Sequence, residues 1–496
     1  MTLLMPLILM LAVLIALSDW RKGLFLTVVV AFIQDPMRKL MPEQPVYFVI
    51  LAGVIFAASS ASALLRRIPL KLNIIQGWKQ WLGAPTLLFL LVLMLQAFIS
   101  IARYGNPMLP AIGMLFYLAP GLALIMGYHF AIRGGVRGIE KWMKFYLVLS
   151  VVVLSSVYLQ YAGIDWPVLG EVGEGIKIYD SGTILTAHSG IFRASEIAAW
   201  HAATAACFIL LIMIKKRVTF GRVVVAGLIV AFLVSIGLLT GRRKMLVQIS
   251  IFIIAYLGIF ILFQKQRGMF AVIILIFGIL AFLGIAGLVG PDLGDHEYQK
   301  ERYSLYVDRS RTVMDDIPER FSNLGLAPVK WVLDGFGLFG AGLGTGSQGT
   351  QHFGGGAGIY GGAAEGGLGK ITMELGIPGL ILAALLLYKL FRLIWLNLRT
   401  VTGISDRIAR LSYGLIAFLI ANIAAFIVAT QAFGDLFILL FLGMTLGFLL
   451  AMPTLAEREK NDMNIIRSRK FGLSRGVIRN AIGDVFPFPP RKYRSR

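Results

Sequence analysis

Residues 411–430 and 436–452 read LSYGLIAFLIANIAAFIVAT and LFILLFLGMTLGFLLAM, and neither stretch contains a charged side chain. An α-helix needs about 20 consecutive, mainly apolar residues to cross the hydrocarbon core of a bilayer. A helix also satisfies its own backbone polar groups, which lipid cannot do. The two stretches therefore predict a pair of membrane-spanning helices joined by the short turn 431–435.

Apolar runs of similar kind recur along the whole chain. Besides the two quoted, they cover residues 3–17, 24–33, 46–65, 83–101, 108–132, 142–161, 197–214, 223–239, 245–263, 269–289 and 371–391. Hydrophobic residues make up 57% of the 496 residues and charged residues only 15%, too few to cover a soluble protein of this length. We predict an all-α polytopic membrane protein with 12 or 13 transmembrane helices, depending on whether the short run 24–33 crosses.

The predicted organisation is one helical bundle with a long loop and a tail. The run 3–17 lacks a basic start and a small-residue cleavage site, so it predicts a retained helix and not a signal peptide. We assign the first part of the bundle to residues 1–289, a large extracytoplasmic loop to 290–370, the last spanning helices to 371–452, and a basic cytoplasmic tail to 453–496.

Positive charge sets the expected orientation. The formal net charge is +21, and much of it lies in the tail. Lys and Arg accumulate in the cytoplasmic loops of membrane proteins and attract anionic lipids. The aromatic-interleaved pattern of a nucleic-acid module is missing, so nucleic acid is excluded as a partner. The basic residues expected on the same side as the tail are Arg66, Arg67, Lys71, Lys215, Lys216, Arg217, Arg222, Lys265, Arg267, Arg399, Arg407 and Arg410.

One basic turn departs from this trend. Residues 240–244 read TGRRK and fall on the outer side, with the long segments 162–196 and 290–370. Contact with lipid headgroups of the outer leaflet is one interpretation of these cations. A functional site is the other, because departures from a general sequence rule concentrate at functional sites.

The sequence predicts neither a metal nor an organic cofactor. Cys207 is the only cysteine, which excludes an intrachain disulfide framework and any multi-cysteine metal site. It lies in an apolar run and is predicted to be a small packed residue. Phosphate-binding loops, dinucleotide fingerprints and HExxH motifs are missing from the sequence.

The long outer loop has two halves. In residues 298–317, apolar side chains recur at helical spacing and predict an amphipathic helix on the membrane surface. Arg302 and Arg309 are two turns apart and therefore point the same way. The second half, residues 335–369, contains 16 glycines and a single charged residue, Glu365. It is either a flexible linker or a loop whose backbone N–H groups approach an anion, and its place between two spanning helices favours the loop.

Three motifs in these outer segments resemble the O-antigen polymerase and O-antigen ligase superfamily, which builds bacterial surface polysaccharides. The first is SGIFRASE at 189–196, followed by a helix of small residues. The second is TGRR at 240–243, similar to the family's turn with an essential arginine. The third is GAGLG at 340–344 with the helix entry ELGIPGL at 374–380.

The resemblance implies an enzyme of the bacterial cytoplasmic (inner) membrane with its active site on the outer face. Its donor would be a polyprenyl-diphosphate-linked oligosaccharide. Membrane lipids and polysaccharide export or chain-length-control proteins would be further partners. An acceptor hydroxyl attacks the anomeric carbon, and the lipid diphosphate leaves. Arginine suits the growing negative charge because its planar fork grips phosphate and stays charged. The residues implied to bind diphosphate or glycan are Arg242, Arg193, Arg302, Arg309, Gly342 and Gly344.

Arg243 is the first catalytic candidate, and Glu365 and His352 are candidate bases for the acceptor hydroxyl. Glu196 and His188 are further options for the base. Ligases usually place a histidine nine residues before the glutamate of the helix entry, where this chain has Glu365. This departure favours a polymerase over a ligase.

Three candidate side chains also have structural interpretations. Glu365 is suited to pairing with Lys370. His201 lies inside a helix and is predicted to be packed and hydrogen-bonded. Glu374 is predicted in the first turn of its helix, where the helix dipole favours a carboxylate.

Other functions remain open from the sequence. Ligation of finished glycan to a lipid acceptor is the variant within the same class. A transporter of a lipid-linked or polar solute would show charged residues at mid-membrane, repeated halves and broken helices. An assembly scaffold would not depend on Arg242 and Arg243.

Overall fold

The computed structural model describes residues 4–172, 177–180, 183–213, 219–242, 244–264, 303, 305–307, 321–347 and 366–470. These residues are almost entirely helical. Within them, strands occur only in one antiparallel hairpin, with β1 Lys177–Asp180 paired to β2 Thr183–Thr186. The predicted all-α fold class is confirmed.

Fourteen α-helices lie within the described residues. They are α1 Leu4–Ser18, α2 Trp20–Leu40, α3 Leu51–Leu65, α4 Trp78–Trp81, α5 Gly83–Tyr104, α6 Met108–Leu154, α7 Ser156–Tyr161, α8 Ser195–Met213, α9 Phe220–Leu239, α10 Lys244–Phe263, α11 Ala327–Phe336, α12 Gly367–Ile404, α13 Asp406–Val428 and α14 Leu436–Lys470. Short 3₁₀ turns at Val46–Ile50, Leu72–Ile74 and Ala432–Gly434 and a π turn at Phe321–Leu326 complete the described elements.

Nine of the described helices are long and apolar enough to cross a membrane. The difference from the predicted 12 or 13 has three sources. The helix α6 is counted once although it holds two predicted spans, and α1 and α2 are too short or too charged to qualify. The predicted span 269–289 lies outside the described residues.

The chain reverses within α6 at Gly135, whose φ of 62° and ψ of −171° are not helical. The half before Gly135 runs in the same direction as α14. An added Cβ at Gly443 would lie 2.3 Å from the carbonyl oxygen of Pro120, and the Arg458 guanidinium donates to the carbonyl of Ile132 at 2.6 Å. Residue numbers therefore increase in the same direction along both helices, so this half of α6 and α14 are parallel.

The half of α6 after Gly135 runs against α14. Trp142 and Phe448 meet edge to face with ring centroids 5.3 Å apart, and the ring centroids of Tyr146 and Phe441 are 4.6 Å apart. Residue numbers increase along α6 as they decrease along α14, so this half of α6 is antiparallel to α14. The reversal confirms that 108–132 and 142–161 are separate traverses, as their apolar runs predict.

The helix α2 is longer than its predicted run 24–33. It extends through Trp20–Leu40 because its charged residues are accommodated by the rest of the bundle. Asp35, Arg38 and Lys39 are all buried at its end. Charges interrupt the apolar pattern there, so the sequence underestimates the helix.

The helix α12 begins at Gly367 and is broken at Gly376, where φ is 69°. The half-helix 367–375 precedes the break, so Glu374 lies near its end. The prediction that Glu374 sits in a first turn is wrong, and the helix dipole does not favour a carboxylate there. The last helix, α14, continues past 452 to Lys470.

The bundle has two distinct ends. At the one we call the basic end, Arg66 bonds to the carbonyl of Ser18 and Arg407 pairs with Glu140 at 3.0 Å. The other, which we call the loop end, is where α2, α5 and α9 finish. There the N–H of His188 donates to the carbonyl of Leu239. The sequence grouping of TGRRK with the segment 162–196 is therefore correct.

The close contact of α6 and α14 makes Gly127 sensitive to substitution. An added Cβ would lie 2.4 Å from the carbonyl oxygen of Met444. We predict that Gly127→Ala forces the two helices apart and costs about 1–3 kcal/mol. Thermal unfolding of the purified protein in detergent measures this. The matched control is Gly121→Ala in the same helix, where no atom lies within 4 Å of the added Cβ. Equal midpoints for both variants would contradict the packing described.

Candidate functional site

A buried ion cluster ties three segments together at the loop end. The Arg193 guanidinium contacts Asp35 at 3.1 Å and Asp435 at 2.7 Å. The backbone N–H of Arg193 also donates to Asp35 at 3.0 Å, and that of Phe437 donates to Asp435 at 2.8 Å. The cluster therefore joins the end of α2, the segment before α8 and the start of α14.

The charges of this cluster act on one another and on the neighbouring Arg38 and Lys39. Burial raises the pKa of the Asp435 carboxyl above its ordinary value, and the neighbouring Arg193 offsets part of that rise. Two carboxylates occupy the guanidinium of Arg193, which was a candidate for phosphate binding. This pairing favours a role for Arg193 in positioning the segment 187–194.

The same segment is held by Lys39. Its ammonium donates to the carbonyls of Val168, Gly170, Gly190 and Phe192. One buried cation therefore fixes both ends of the segment between α7 and α8. Backbone carbonyls can bind a lysine in this way without any sequence motif, so sequence reasoning had no signal for it.

Arg242 lies beside this segment, on the turn between α9 and α10. Gly241, with a φ of 67°, allows the turn. The Arg242 guanidinium contacts Glu196 at 2.8 Å and donates to the hydroxyl of Ser195 at 3.0 Å. The N–H of Ser195 in turn donates to Glu171 at 2.9 Å. The motifs at 189–196 and 240–243 are thus in direct contact.

A small cavity of about 30 Å³ adjoins Arg242. Besides apolar residues, it is lined by Glu196, Lys244, Gln248 and Gln431. Lys244 donates to Gln431 at 2.7 Å across it. A cavity of this size holds one or two water-sized groups. It leaves a small opening beside an arginine, a carboxylate and a lysine.

The segment 337–347 is packed between α5 and α6. Gly342 has a φ of 115°, and an added Cβ would lie 3.1 Å from Cα of Ser100. At Gly344 an added Cβ would lie 2.0 Å from the carbonyl oxygen of Leu109. The N–H of Gly342 donates to the carbonyl of Met373. Close packing therefore explains both glycines, which were candidates for binding an anion.

A second polar cluster lies where this segment meets the half-helix 367–375. Glu374 is fully buried and accepts a hydrogen bond from Ser347 at 2.9 Å. The Tyr117 hydroxyl lies next to the same carboxylate. Tyr117 is nine residues into α6, about 13 Å along its axis. A carboxylate at such a depth in a membrane protein is a candidate functional group, and the sequence interpretation of Glu374 missed it.

Five candidate residues lie outside the described residues. They are Arg243, His352, Glu365, Arg302 and Arg309. The predicted amphipathic helix 298–317 is described only at 303 and 305–307, where the Tyr306 hydroxyl donates to the carbonyl of Thr186 at 2.5 Å.

His201, Cys207 and His188 are all buried in the bundle. His201 bonds to the Tyr146 hydroxyl at 2.8 Å and stacks on Phe192, so the prediction of a packed histidine is confirmed. Cys207 is fully buried, as predicted. His188 is buried against the rings of Tyr161 and Tyr306.

Comparison with known proteins gives no family assignment. No protein-family model matches the chain, and no curated protein is significantly similar to it. The structure places the motifs at 189–196 and 240–243 together, and their resemblance to the polysaccharide polymerases and ligases remains a basis for a proposal.

The ion cluster predicts a large effect of Arg193 on stability. Removal of one partner from a buried ion pair leaves an uncompensated charge and costs about 3–5 kcal/mol. We therefore expect Arg193→Met to lower the free energy of unfolding by that amount, measured by chemical or thermal unfolding in detergent. The matched control is Arg21→Met, which breaks the more exposed contact with Asp19. It should cost less than about 1 kcal/mol. Similar losses for both variants would show that the cluster is unimportant for stability.

Proposed function

We propose that this protein is a membrane glycosyltransferase that polymerises polyprenyl-diphosphate-linked oligosaccharides into a surface polysaccharide or exopolysaccharide on the outer face of the bacterial cytoplasmic membrane. The observation that carries the proposal is the contact of Arg242 with Glu196. It joins two motifs that resemble the polymerase and ligase superfamily, beside a small cavity at the loop end. The basic turns at the opposite end support a cytoplasmic position for that end.

The reaction in this proposal is a substitution at the anomeric carbon of the donor sugar. The acceptor hydroxyl oxygen forms a bond to that carbon, and the bond between carbon and diphosphate oxygen breaks. The lipid diphosphate leaves with the electron pair, and a base takes the hydroxyl proton. Arg242 and the adjacent Arg243 would stabilise the charge that develops on the leaving oxygens.

Because Arg242 is paired with Glu196, binding of the substrate would change the state of both side chains. An arriving diphosphate competes with Glu196 for the guanidinium of Arg242. The released carboxylate is then a hydrogen-bond acceptor within the same site, suited to take the proton of the acceptor hydroxyl. Of the candidate bases Glu365, His352, Glu196 and His188, Glu196 is the one that contacts Arg242 in the part of the chain that the structure describes.

The experiment replaces Arg242 and Arg243, each by alanine and by lysine, in the producing bacterium. We expect normal amounts of membrane protein, loss of long glycan and accumulation of single lipid-linked repeat units. Loss of one such donor reduces the rate by about 10²–10³. Lysine should rescue poorly because it lacks the planar fork.

The control for the arginine variants is Arg137→Ala at the basic end, which removes an exposed arginine outside the site. It should leave glycan length unchanged. Unchanged glycan length in the Arg242 and Arg243 variants would overturn the proposal. Normal chain length with loss of transfer to a lipid acceptor would instead indicate ligation.

Transport of a lipid-linked solute is the second candidate function. The broken helix α12, with Lys370 and Glu374 buried before its break, is a feature of many transporters. Purified protein in vesicles distinguishes the two functions. Elongation of lipid-linked oligosaccharide without any other protein supports the polymerase, whereas movement across the bilayer without elongation supports transport.

A further inference from the structure

A large apolar groove lies between α6, α12, α13 and α14. Its volume is about 430 Å³, and its walls include Leu124, Leu390, Ile420 and Leu442. This volume lies within the range of small-molecule binding sites. The polar side chain of Asn422 in its wall is already bonded to Trp200 at 2.8 Å, so the groove offers an apolar ligand an apolar surface.

The groove has the length and opening that a lipid chain needs. Its wall on α13 extends from Ile416 to Phe426, ten residues or about 15 Å. That is half of the roughly 30 Å hydrocarbon thickness of a bilayer. Leu387, Phe391 and Ile423 line it and are each exposed over more than a third of their surface. A chain can therefore enter sideways from the membrane.

A buried cation lies at one end of this groove. The first turn of α12 packs Gly367 against Phe426, which lines the groove. From the same turn, the Lys370 ammonium lies 5.5 Å from the ring centroid of Phe116. Phe116 is one turn from Pro120, another residue of the groove wall. Lys370 is therefore close to the end of the groove that faces the loop end.

Lys370 is only 8% exposed, and no carboxylate of the described residues lies within ion-pair distance of its ammonium. A buried cation without a countercharge is costly, and an anionic ligand would remove that cost. The half-helix 367–375 also begins here, and its N-cap residue, Gly366, has no side chain that could cap it. The first N–H groups of a helix have no partner within it and carry the positive end of the helix dipole.

From these observations we propose that the groove binds the polyprenyl chain of a lipid phosphate, with the phosphate held by Lys370 and the first turn of α12. The groove is a single cavity between four helices, so it fits a lipid with one chain better than a lipid with two. The inference rests on the proposed function for the identity of the chain. Lys370 is then a binding residue that holds a charged lipid head.

The test measures binding of farnesyl phosphate to the purified full-length protein in detergent. Lys370→Met should weaken binding at least tenfold, and Lys370→Arg should remain within threefold of the wild type. Farnesol, which lacks the phosphate, should bind as weakly to the wild type as farnesyl phosphate binds to Lys370→Met. Inorganic phosphate should not compete at millimolar concentration, because the chain supplies much of the affinity. Phosphatidylglycerol should compete poorly if the groove takes a single chain.

A second variant tests the groove itself. Gly121 lines it, and no atom lies within 4 Å of an added Cβ, so Gly121→Phe fills the groove with little strain on the helix. It should weaken binding of farnesyl phosphate at least tenfold. The matched control is Gly227→Phe on α9, where the space is also open but lies outside the groove. Thermal unfolding of each variant verifies that it is folded.

Failure of this inference differs from failure of the proposed function. Wild-type binding by folded Lys370→Met and Gly121→Phe would overturn the groove site, even if the Arg242 variants lose long glycan. Loss of binding in both variants, with normal glycan in the Arg242 variants, would retain the lipid site and overturn the polymerase. Effective competition by phosphatidylglycerol would overturn the polyprenyl assignment and indicate a site for membrane phospholipid.

Discussion

The contact of Arg193 with Asp35 and Asp435 is the constraint on which the loop end depends. Three segments far apart in sequence bring one charge each to a place where water is largely excluded. Because each charge would be costly alone, the segments are stable there only as a group. The position of the chain before α8 follows from this, and so does the contact of Ser195 and Glu196 with Arg242.

The fold was predictable from the sequence where hydrophobic burial alone decides it. The uncharged runs 411–430 and 436–452 largely coincide with α13 and the first half of α14, and the break at Gly135 falls between the predicted runs 108–132 and 142–161. The prediction fails where charge is compensated by distant residues. The end of α2 looks too polar for a spanning helix because the partners of Asp35 and Lys39 lie more than a hundred residues away.

The candidate site was predictable only in part. The resemblance to known motifs singled out the segments 189–196 and 240–243, and Arg242 does contact Ser195 and Glu196. It could not show that Arg193 is occupied by carboxylates or that Gly342 and Gly344 serve close packing. The position of Glu374 was misjudged for a different reason. The start of α12 four residues before the apolar run, and its break at Gly376, depend on packing against 337–347.

The central place of α14 also bears on how the protein is made. This helix is packed against both traverses of α6, and 83% of its apolar window is buried inside the protein. It is also the last described helix to leave the ribosome. Until α14 has been inserted, the faces of the earlier helices that pack against it are therefore exposed to lipid or to insertion factors. Assembly of the core is a late event, and truncation near the C-terminus would remove the centre of the bundle.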